Sequence, residues 1–229
     1  MTTAAMTVQL APRLLVVRFA EPQRVVSWAM LGGGLGRTRA VAWVEVRNDE
    51  LRPPVDPCEL ARTRLEAAGI ADAVTLMTSR DLRPYVDLER TYRDVSCRCI
   101  ATVGLGNALR AGDPPGPDGR IGTINVLCCV SVGLTDEALL EALALASEAR
   151  SLAVREAEVA SPISGLPASG TGTDCIVIAA PDTADPHRFA GKHTELGHVV
   201  GAAVHDAVRS GAEQWKCEQA AARAMERNR

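Results

Sequence analysis

The chain is poor in aromatic residues and has no excess of positive charge. Aromatic residues make up 3% of its 229 residues, and its formal net charge is −3 at pH 7. Few stacking side chains and no basic field disfavour a nucleic-acid partner. No apolar run approaches the roughly 20 residues that cross a bilayer, and residues 1–15 lack the regions of a signal peptide. We therefore expect a soluble, cytoplasmic protein without membrane insertion.

The sequence also lacks the common catalytic signatures. It has no G-x-S-x-G elbow, no Walker loop, no G-x-G-x-x-G and no H-E-x-x-H. The H-x-E at residues 193–195 resembles that of zinc deaminases, but no P-C-x-x-C follows it. Seven cysteines occur without zinc spacing. Most lie in Val/Ile/Leu-rich segments and are expected to be small core residues. No metal is predicted.

Hydrophobic patterning predicts strands and helices mixed along the whole chain. The predicted strands are 14–19, 25–31, 40–46, 73–78, 97–103, 121–132 and 175–180, and the predicted helices are 56–69, 135–159 and 194–211. A glycine turn at 32–36 joins two of the strands, and the Pro/Gly-dense loop 110–120 is either a mobile lid or a plain surface loop. The prediction is an α/β fold: a single domain, 1–211, with a mixed, partly antiparallel β-sheet covered by helices. A helical tail, 212–229, follows it.

Four short elements combine glycine with polar side chains beside apolar segments. They are residues 103–108 (VGLGNA), 122–125 (GTIN), 171–174 (TGTD) and 192–197 (KHTELG). Ordinary turns would suffice for folding alone. Repeated glycine beside Asn, Thr, Asp, His and Glu therefore indicates backbone close to a ligand, with polar side chains converging on it.

His193 and Glu195 lie where the last predicted helix begins. The helix dipole and free N–H groups at that position favour an anionic or carbonyl oxygen, so the two side chains form a candidate acid–base pair. Glu195 has a structural alternative, because acidic residues stabilise the first turn of any helix. His198 and His205 fall opposite the apolar stripe that contains Leu196, and we expect both to face solvent.

The remaining polar candidates each have a structural and a functional interpretation. Asn107 and Asn125 need hydrogen-bond partners if they are buried, either in a turn or sheet or on a substrate. Asp174 caps a turn, or acts as a base or orienting group. Thr123 is a candidate nucleophile, although direct attack by water fits the sequence equally well.

In this order and spacing, the elements resemble the adenosylcobinamide amidohydrolase (CbiZ) family. Weaker matches occur at 33–36 (GGLG), 74–78 (VTLMT) and 134–139 (LTDEAL), and the resemblance extends over residues 27–211. It implies hydrolysis of adenosylcobinamide to adenosylcobyric acid and 1-amino-2-propanol in corrinoid salvage. The corrinoid is then a substrate and no cofactor is expected. The chain departs from the family pattern at 42–46 (AWVEV), where the family tends to place an Asn.

The resemblance also implies a set of site residues. The catalytic candidates are Thr123, Asp174, His193 and Glu195, and the substrate-binding candidates are Gly104, Gly106, Asn107, Gly122, Asn125 and Thr173. We expect His193 to transfer protons, with Glu195 or Asp174 orienting it. Asn107 or Asn125, with glycine N–H groups, would hold the tetrahedral oxyanion.

Two other functions stay open at this point. One is a non-catalytic corrinoid-binding or transport-associated protein. The other is a nucleotide- or phosphate-binding enzyme, which the lack of Lys and Arg in the Gly104 and Gly122 elements disfavours. The sequence does not decide whether the chain forms a homo-oligomer.

Overall fold

The computed structural model describes residues 5–115 and 122–227. The strands are β1 (Met6–Ala11), β2 (Leu14–Ser27), β3 (Gly34–Glu45), β4 (Val74–Thr78), β5 (Val86–Tyr92), β6 (Val95–Val103), β7 (Ala108–Leu109), β8 (Ile124–Val130), β9 (Gly170–Thr171) and β10 (Cys175–Pro181). The helices are α1 (Pro57–Ala67), α2 (Asp136–Glu156) and α3 (Glu195–Arg227), with a short 3-10 helix at Asn48–Leu51.

Eight strands form one mixed sheet, as predicted. Its order is β4-β3-β2-β10-β8-β6-β5, and β1 pairs with β2 beside this path. The β3–β4 and β8–β10 pairs are parallel, and the other pairs are antiparallel. The short strands β7 and β9 pair with each other separately.

Strand β8 lies at the centre of the fold, and every one of its residues is buried. Val126 and Cys128 belong to the core between the sheet and helices α2 and α3. Leu127 and Cys129 belong to a second core, which also contains Trp43 from β3. Coverage on both faces explains why β8 shows no alternation of apolar and polar residues.

The sheet is strongly curved. Strand β4 is separated from β8 by three strands in the sheet order. Nevertheless, the Asn125 Nδ2–H in β8 donates to the Met77 carbonyl oxygen in β4, with a donor–acceptor distance of 2.9 Å. The curvature therefore brings the end of β4 opposite the start of β8.

Local signals placed two helix starts correctly. The Asp56 side chain accepts from the Cys58 N–H, and Pro57 occupies the first turn of α1. The Thr135 side chain accepts from the Ala138 N–H at the start of α2. Both are N-caps of the type that satisfies free helical N–H groups. Five of the seven cysteines are buried, as the apolar surroundings indicated.

Several predicted boundaries are wrong. Residues 14–19 and 25–27 belong to one strand, β2, whose register shifts between Arg18 and Gln23 instead of breaking, and residues 28–31 lie beyond its end. The expected glycine turn runs into β3, which begins at Gly34. Strands β1 and β5 were not predicted, because most of their residues are exposed or half-buried and their sequences carry little apolar pattern.

Helix α3 does not end at Gly211, contrary to the prediction. The helix continues unbroken to Arg227, so the segment after residue 211 is helical but continuous with it. A Cβ atom at Gly211 would lie 2.6 Å from Val103 Cγ2. The glycine therefore permits close packing of the helix on β6 and does not stop it.

Part of the predicted loop 110–120 and of the predicted strand from 121 lies outside the described residues. No helix in the described part of the chain is long and apolar enough to span a membrane.

Candidate active site

A cleft of about 530 Å³ opens at one end of the sheet. Three of the four glycine-bearing elements meet there, namely those at 103–108, 122–125 and 171–174. The polar residues along the cleft include Thr78, Ser79, Asn107, Thr123, Asn125 and Thr173, and the apolar ones include Trp28, Met30, Val46, Leu51 and Leu76. Concave sites of this size, apolar with a few convergent polar groups, commonly bind small molecules.

Strand register explains why these elements meet. Val103 at the end of β6 pairs with Ile124 at the start of β8. Asn125 in turn pairs with Cys175 at the start of the parallel strand β10. The turn after β6 and the turns before β8 and β10 therefore lie at the same edge of the sheet, although about 70 residues of chain separate the first from the last.

Gly122 brings two of these elements into direct contact. A Cβ atom at this position would lie 2.6 Å from Asn107 Oδ1 and 2.7 Å from both Gly104 O and Gly106 N. The Gly104 N–H donates to the Thr123 carbonyl oxygen, at 2.9 Å. The amide of Gly104 is thus used within the protein and does not supply the expected oxyanion donor.

Asp174 is a buried carboxylate with four hydrogen-bond donors. Its Oδ1 accepts from the Ile124 N–H at 3.0 Å and from the Thr171 hydroxyl. Its Oδ2 accepts from the Thr171 N–H at 2.9 Å and from the Arg150 guanidinium. These donors fill the roughly four acceptor positions of a carboxylate. Of the interpretations that the sequence leaves open, these contacts favour a structural, anchoring role for Asp174 over the role of base.

Arg150 was not identified from the sequence. It lies on the Ala/Leu-rich helix α2, its side chain is only 15% exposed, and it forms an ion pair with Asp174. Burial lowers the pKa of its guanidinium from the usual value. An arginine on the otherwise apolar inner face of this helix was the one available signal, because such a charge needs a buried partner.

The hydroxyls of Thr123 and Thr173 are hydrogen-bonded to each other at the cleft. The Thr173 hydroxyl donates to the Gly122 carbonyl oxygen at 3.1 Å. Since a hydroxyl carries one proton, Thr123 is the donor in the bond between the two threonines. No described residue donates to Thr123 Oγ1, so its lone pairs are available to a ligand.

Two asparagine oxygens in the cleft have no hydrogen-bond partner among the described residues. They are Asn107 Oδ1 and Asn125 Oδ1, both inaccessible to solvent. The bond from Asn125 Nδ2 to the Met77 carbonyl fixes that amide, because a flipped amide would set two oxygens against each other. Buried oxygens are nearly always paired. The two asparagines therefore indicate a ligand that carries hydrogen-bond donors.

Trp28 stands at the cleft with its side chain partly in solvent. It is 48% exposed, yet its Nε1–H donates to the Asp174 carbonyl oxygen at 2.7 Å. Met30, 42% exposed, lines the same cleft. The sequence analysis did not single out either residue. A tryptophan held at a cleft by one hydrogen bond offers an apolar face to a ligand.

His193 and Glu195 lie at the opposite end of the sheet. Glu195 forms an ion pair with Arg93, at 2.7 Å, in the turn between β5 and β6. The length of β6 separates this turn from Val103, which is about 25 Å at the usual strand rise. The expected orientation of His193 by Asp174 is therefore not found. The N-terminus of α3 is capped by Thr194, whose hydroxyl accepts from the Gly197 N–H at 2.9 Å. A side chain of the protein, and not a ligand, therefore satisfies this N–H group.

His198 is exposed, as expected, but His205 is half-buried, with its ring nitrogens 2.8 Å from Glu156 Oε2 and 3.1 Å from Asp206 Oδ1. Asp174 and Cys175 are the ionisable residues among the described lining residues. Burial raises the pKa of the Cys175 thiol, which keeps it protonated at neutral pH. The described part of the chain holds no cluster of three or more metal-ligating side chains.

Known proteins are similar to this chain over most of its length. A family model described as adenosylcobinamide amidohydrolase matches residues 1–220. A Halobacterium salinarum protein of that name is 30% identical over 193 residues, covering 80% of this chain and 78% of the relative. A Methanosarcina mazei protein of the same name is 27% identical over 195 residues, covering 80% and 87%. A Pyrococcus horikoshii crystal structure superposes with a TM-score of 0.48 and 9% identity, covering 91% of this chain and 82% of that one.

Proposed function

The chain belongs to the adenosylcobinamide amidohydrolase family, and from this premise we propose that it hydrolyses the amide of adenosylcobinamide to adenosylcobyric acid and 1-amino-2-propanol. The corrinoid is the substrate, and the acid product re-enters corrinoid salvage. We place the reaction in the cleft at the ends of β6, β8 and β10.

The observation that carries this placement is that two buried oxygens, Asn107 Oδ1 and Asn125 Oδ1, have no hydrogen-bond partner among the described residues. Adenosylcobinamide carries carboxamide arms and the amide to be cleaved, and all of them present N–H donors. An amide N–H that enters the cleft satisfies an oxygen that is otherwise buried without a partner. The cleft of about 530 Å³ holds such an arm, while the corrin ring lies outside against Trp28 and Met30.

Hydrolysis adds one water across the amide bond. The water oxygen bonds to the carbonyl carbon, the C–N bond breaks, and both water protons end on the leaving amine, giving a carboxylate and an ammonium group. The site therefore has to orient one water molecule, which is consumed, and to pass its protons to the leaving amine with no net gain or loss of protons.

Thr123 is the side chain that we assign to the reacting atoms. Its proton is directed to Thr173, whose own proton is directed to the Gly122 carbonyl. A carbonyl oxygen is too weak a base to take the proton that attack by Thr123 would release. The arrangement therefore favours a water molecule that donates to the free lone pairs of Thr123 Oγ1 over covalent attack by the threonine.

Incubation with adenosylcobinamide, followed by mass spectrometry, tests the proposal. We expect adenosylcobyric acid and 1-amino-2-propanol in equal amounts, with one oxygen from ¹⁸O-labelled water in the acid. Tight binding without products would instead identify a corrinoid-binding protein without this activity. A covalent adduct on Thr123 in a rapid-quench sample would contradict direct attack by water.

A further inference from the structure

We propose that the cleft distinguishes an amide from a carboxylate, and that Asn125 makes this distinction by accepting a hydrogen bond from the substrate N–H. The consequence is that the acid product is bound more weakly than the amide substrate and is released. This inference rests on the proposed function and extends it to product release.

The first step of the argument is the fixed direction of the Asn125 amide. Its side chain is fully buried, and its Nδ2–H is committed to the Met77 carbonyl oxygen of β4, at 2.9 Å. Rotation to present the NH₂ group to the cleft would set Oδ1 against that carbonyl. Asn125 Oδ1 can therefore serve only as an acceptor.

The second step is that Asn107, which lines the same cleft, also presents an oxygen there. Its Oδ1 is also buried and unpartnered within the described part of the chain. It is held against Gly122, where even a Cβ atom would come within 2.6 Å of it. A ligand that reaches this part of the cleft meets two acceptor oxygens.

The third step concerns charge. Among the described lining residues there is no Lys, Arg or His. Two arginines lie behind the cleft wall, and each is paired with a carboxylate. Arg150 forms an ion pair with Asp174. Arg80, whose Cδ packs against Gly104, forms an ion pair with Glu218, in which Nη2 and Oε1 are 2.7 Å apart. The protonated Cys175 thiol adds no charge.

Among the residues that the structure describes, a new carboxylate therefore meets the two asparagine oxygens and no unpaired cation. Before hydrolysis the amide N–H donates to Asn125 Oδ1. Afterwards the carboxylate oxygen and Asn125 Oδ1 are two acceptors facing each other, and leaving a buried polar group unpaired is strongly unfavourable. We expect the acid to bind about tenfold more weakly than the amide at pH 7, which corresponds to about 1.4 kcal/mol.

The test compares the Ki of adenosylcobyric acid, as an inhibitor, with the KM of adenosylcobinamide in the wild-type protein. The Ki should exceed the KM by about tenfold at pH 7. The Ki should then fall between pH 7 and pH 5, because the protonated acid has an O–H that can donate to Asn125 Oδ1, whereas the KM should stay nearly constant. For a carboxylic acid with a pKa of about 4.3, the protonated fraction rises roughly tenfold for each unit by which the pH falls in this range.

Two variants localise the effect. Asn125→Ala removes the acceptor and should bring the ratio of Ki to KM toward one. Thr102→Val is the matched control, since Thr102 lies directly opposite Asn125 on β6, is equally buried, and does not line the cleft. That variant should keep the wild-type ratio. If Asn125→Ala has no turnover, equilibrium dialysis of the two coloured corrinoids gives the same ratio.

The outcomes separate the two proposals. Hydrolysis with a Ki equal to the KM, or with a Ki that does not change with pH, overturns the inference and leaves the proposed function intact. A ratio that persists in Asn125→Ala, or that is lost equally in Thr102→Val, overturns the role of Asn125. Absence of hydrolysis overturns the proposed function itself. If Asn125→Ala does not fold, the pH dependence of the wild-type Ki decides alone.

Discussion

The carboxylate of Asp174 and the guanidinium of Arg150 form a buried ion pair that joins helix α2 to the wall of the cleft. Asp174 also binds the backbone N–H groups of Ile124 and Thr171. One carboxylate thus holds the turns before β8 and β10 against each other. The geometry of the cleft depends on a contact with a helix that contributes no residue to its described lining.

Replacement of Arg150 by methionine should destabilise the protein strongly. It removes one member of a buried pair and leaves the Asp174 carboxylate without its charge partner, at a cost of about 3–5 kcal/mol in the free energy of unfolding. Arg155→Met, at an exposed position of the same helix, should cost less than about 0.5 kcal/mol. Urea denaturation measures both, and a loss below about 1 kcal/mol for Arg150→Met would remove the anchoring role.

Trp28→Ala should raise the KM for adenosylcobinamide by roughly tenfold and leave kcat nearly unchanged. The indole is half-exposed at the cleft. In the proposed complex it contacts the corrin ring, which does not react. Trp28→Phe should have an intermediate KM. Phe189→Ala removes a similarly exposed aromatic side chain that does not line this cleft, and steady-state kinetics should show no change. A lower kcat at constant KM in Trp28→Ala would argue against this role.

Gly122→Ala should impair both stability and turnover, because the added methyl group would meet Asn107 Oδ1 and two backbone atoms within 2.7 Å. Overpacking of this kind costs about 1–3 kcal/mol. Gly104→Ala is the control, since its nearest contacts would lie at an ordinary 3.5 Å. Thermal unfolding and kcat should separate the two variants. Equal effects would show that the close approach at Gly122 is unimportant.

Stability at low pH should depend on Glu50, next to the cleft residue Leu51. A side-chain hydrogen bond from Arg13, with others from the Arg47 N–H and Arg64, lowers the pKa of Glu50 from 4.5 to about 2. A carboxylate with a lowered pKa in the folded state contributes stability that is present above pH 4.5 and is lost as the pH falls through about 2. Urea denaturation between pH 6 and pH 2 should therefore show a steeper loss in the wild-type protein than in Glu50→Gln. Parallel curves would contradict the shift.

Features set by neighbouring residues could be predicted from the sequence. The caps at Asp56 and Thr135 and the strand β8, which is apolar apart from Asn125, each depend on a few adjacent side chains, and all three are confirmed. Features set by distant contacts could not be predicted. A glycine such as Gly211 often marks the end of a helix. Only the close packing of Gly211 against Val103 shows why a glycine is present here although α3 continues.

The candidate site divides in the same way. Glycine beside polar residues correctly indicated three turns that meet at one cleft, because each turn is a local feature. The sequence could not show at which end of the sheet each turn lies. Helix α3 begins near the β5–β6 turn, where Arg93 binds Glu195. His193 therefore lies at the opposite end of the sheet from Thr123. Arg150 was missed for a related reason, since its partner is 24 residues away.

The central claim is that adenosylcobinamide is hydrolysed in the cleft that contains Thr123 and not at the start of helix α3. Parallel measurement of kcat for Thr123→Val and His193→Ala, with both variants checked for wild-type unfolding temperatures, tests it directly. We predict a loss of at least about 100-fold in Thr123→Val, as for other groups that contact reacting atoms. His193→Ala should keep a kcat within about twofold of the wild-type value. The reverse result, full activity in Thr123→Val and its loss in His193→Ala, would contradict the account.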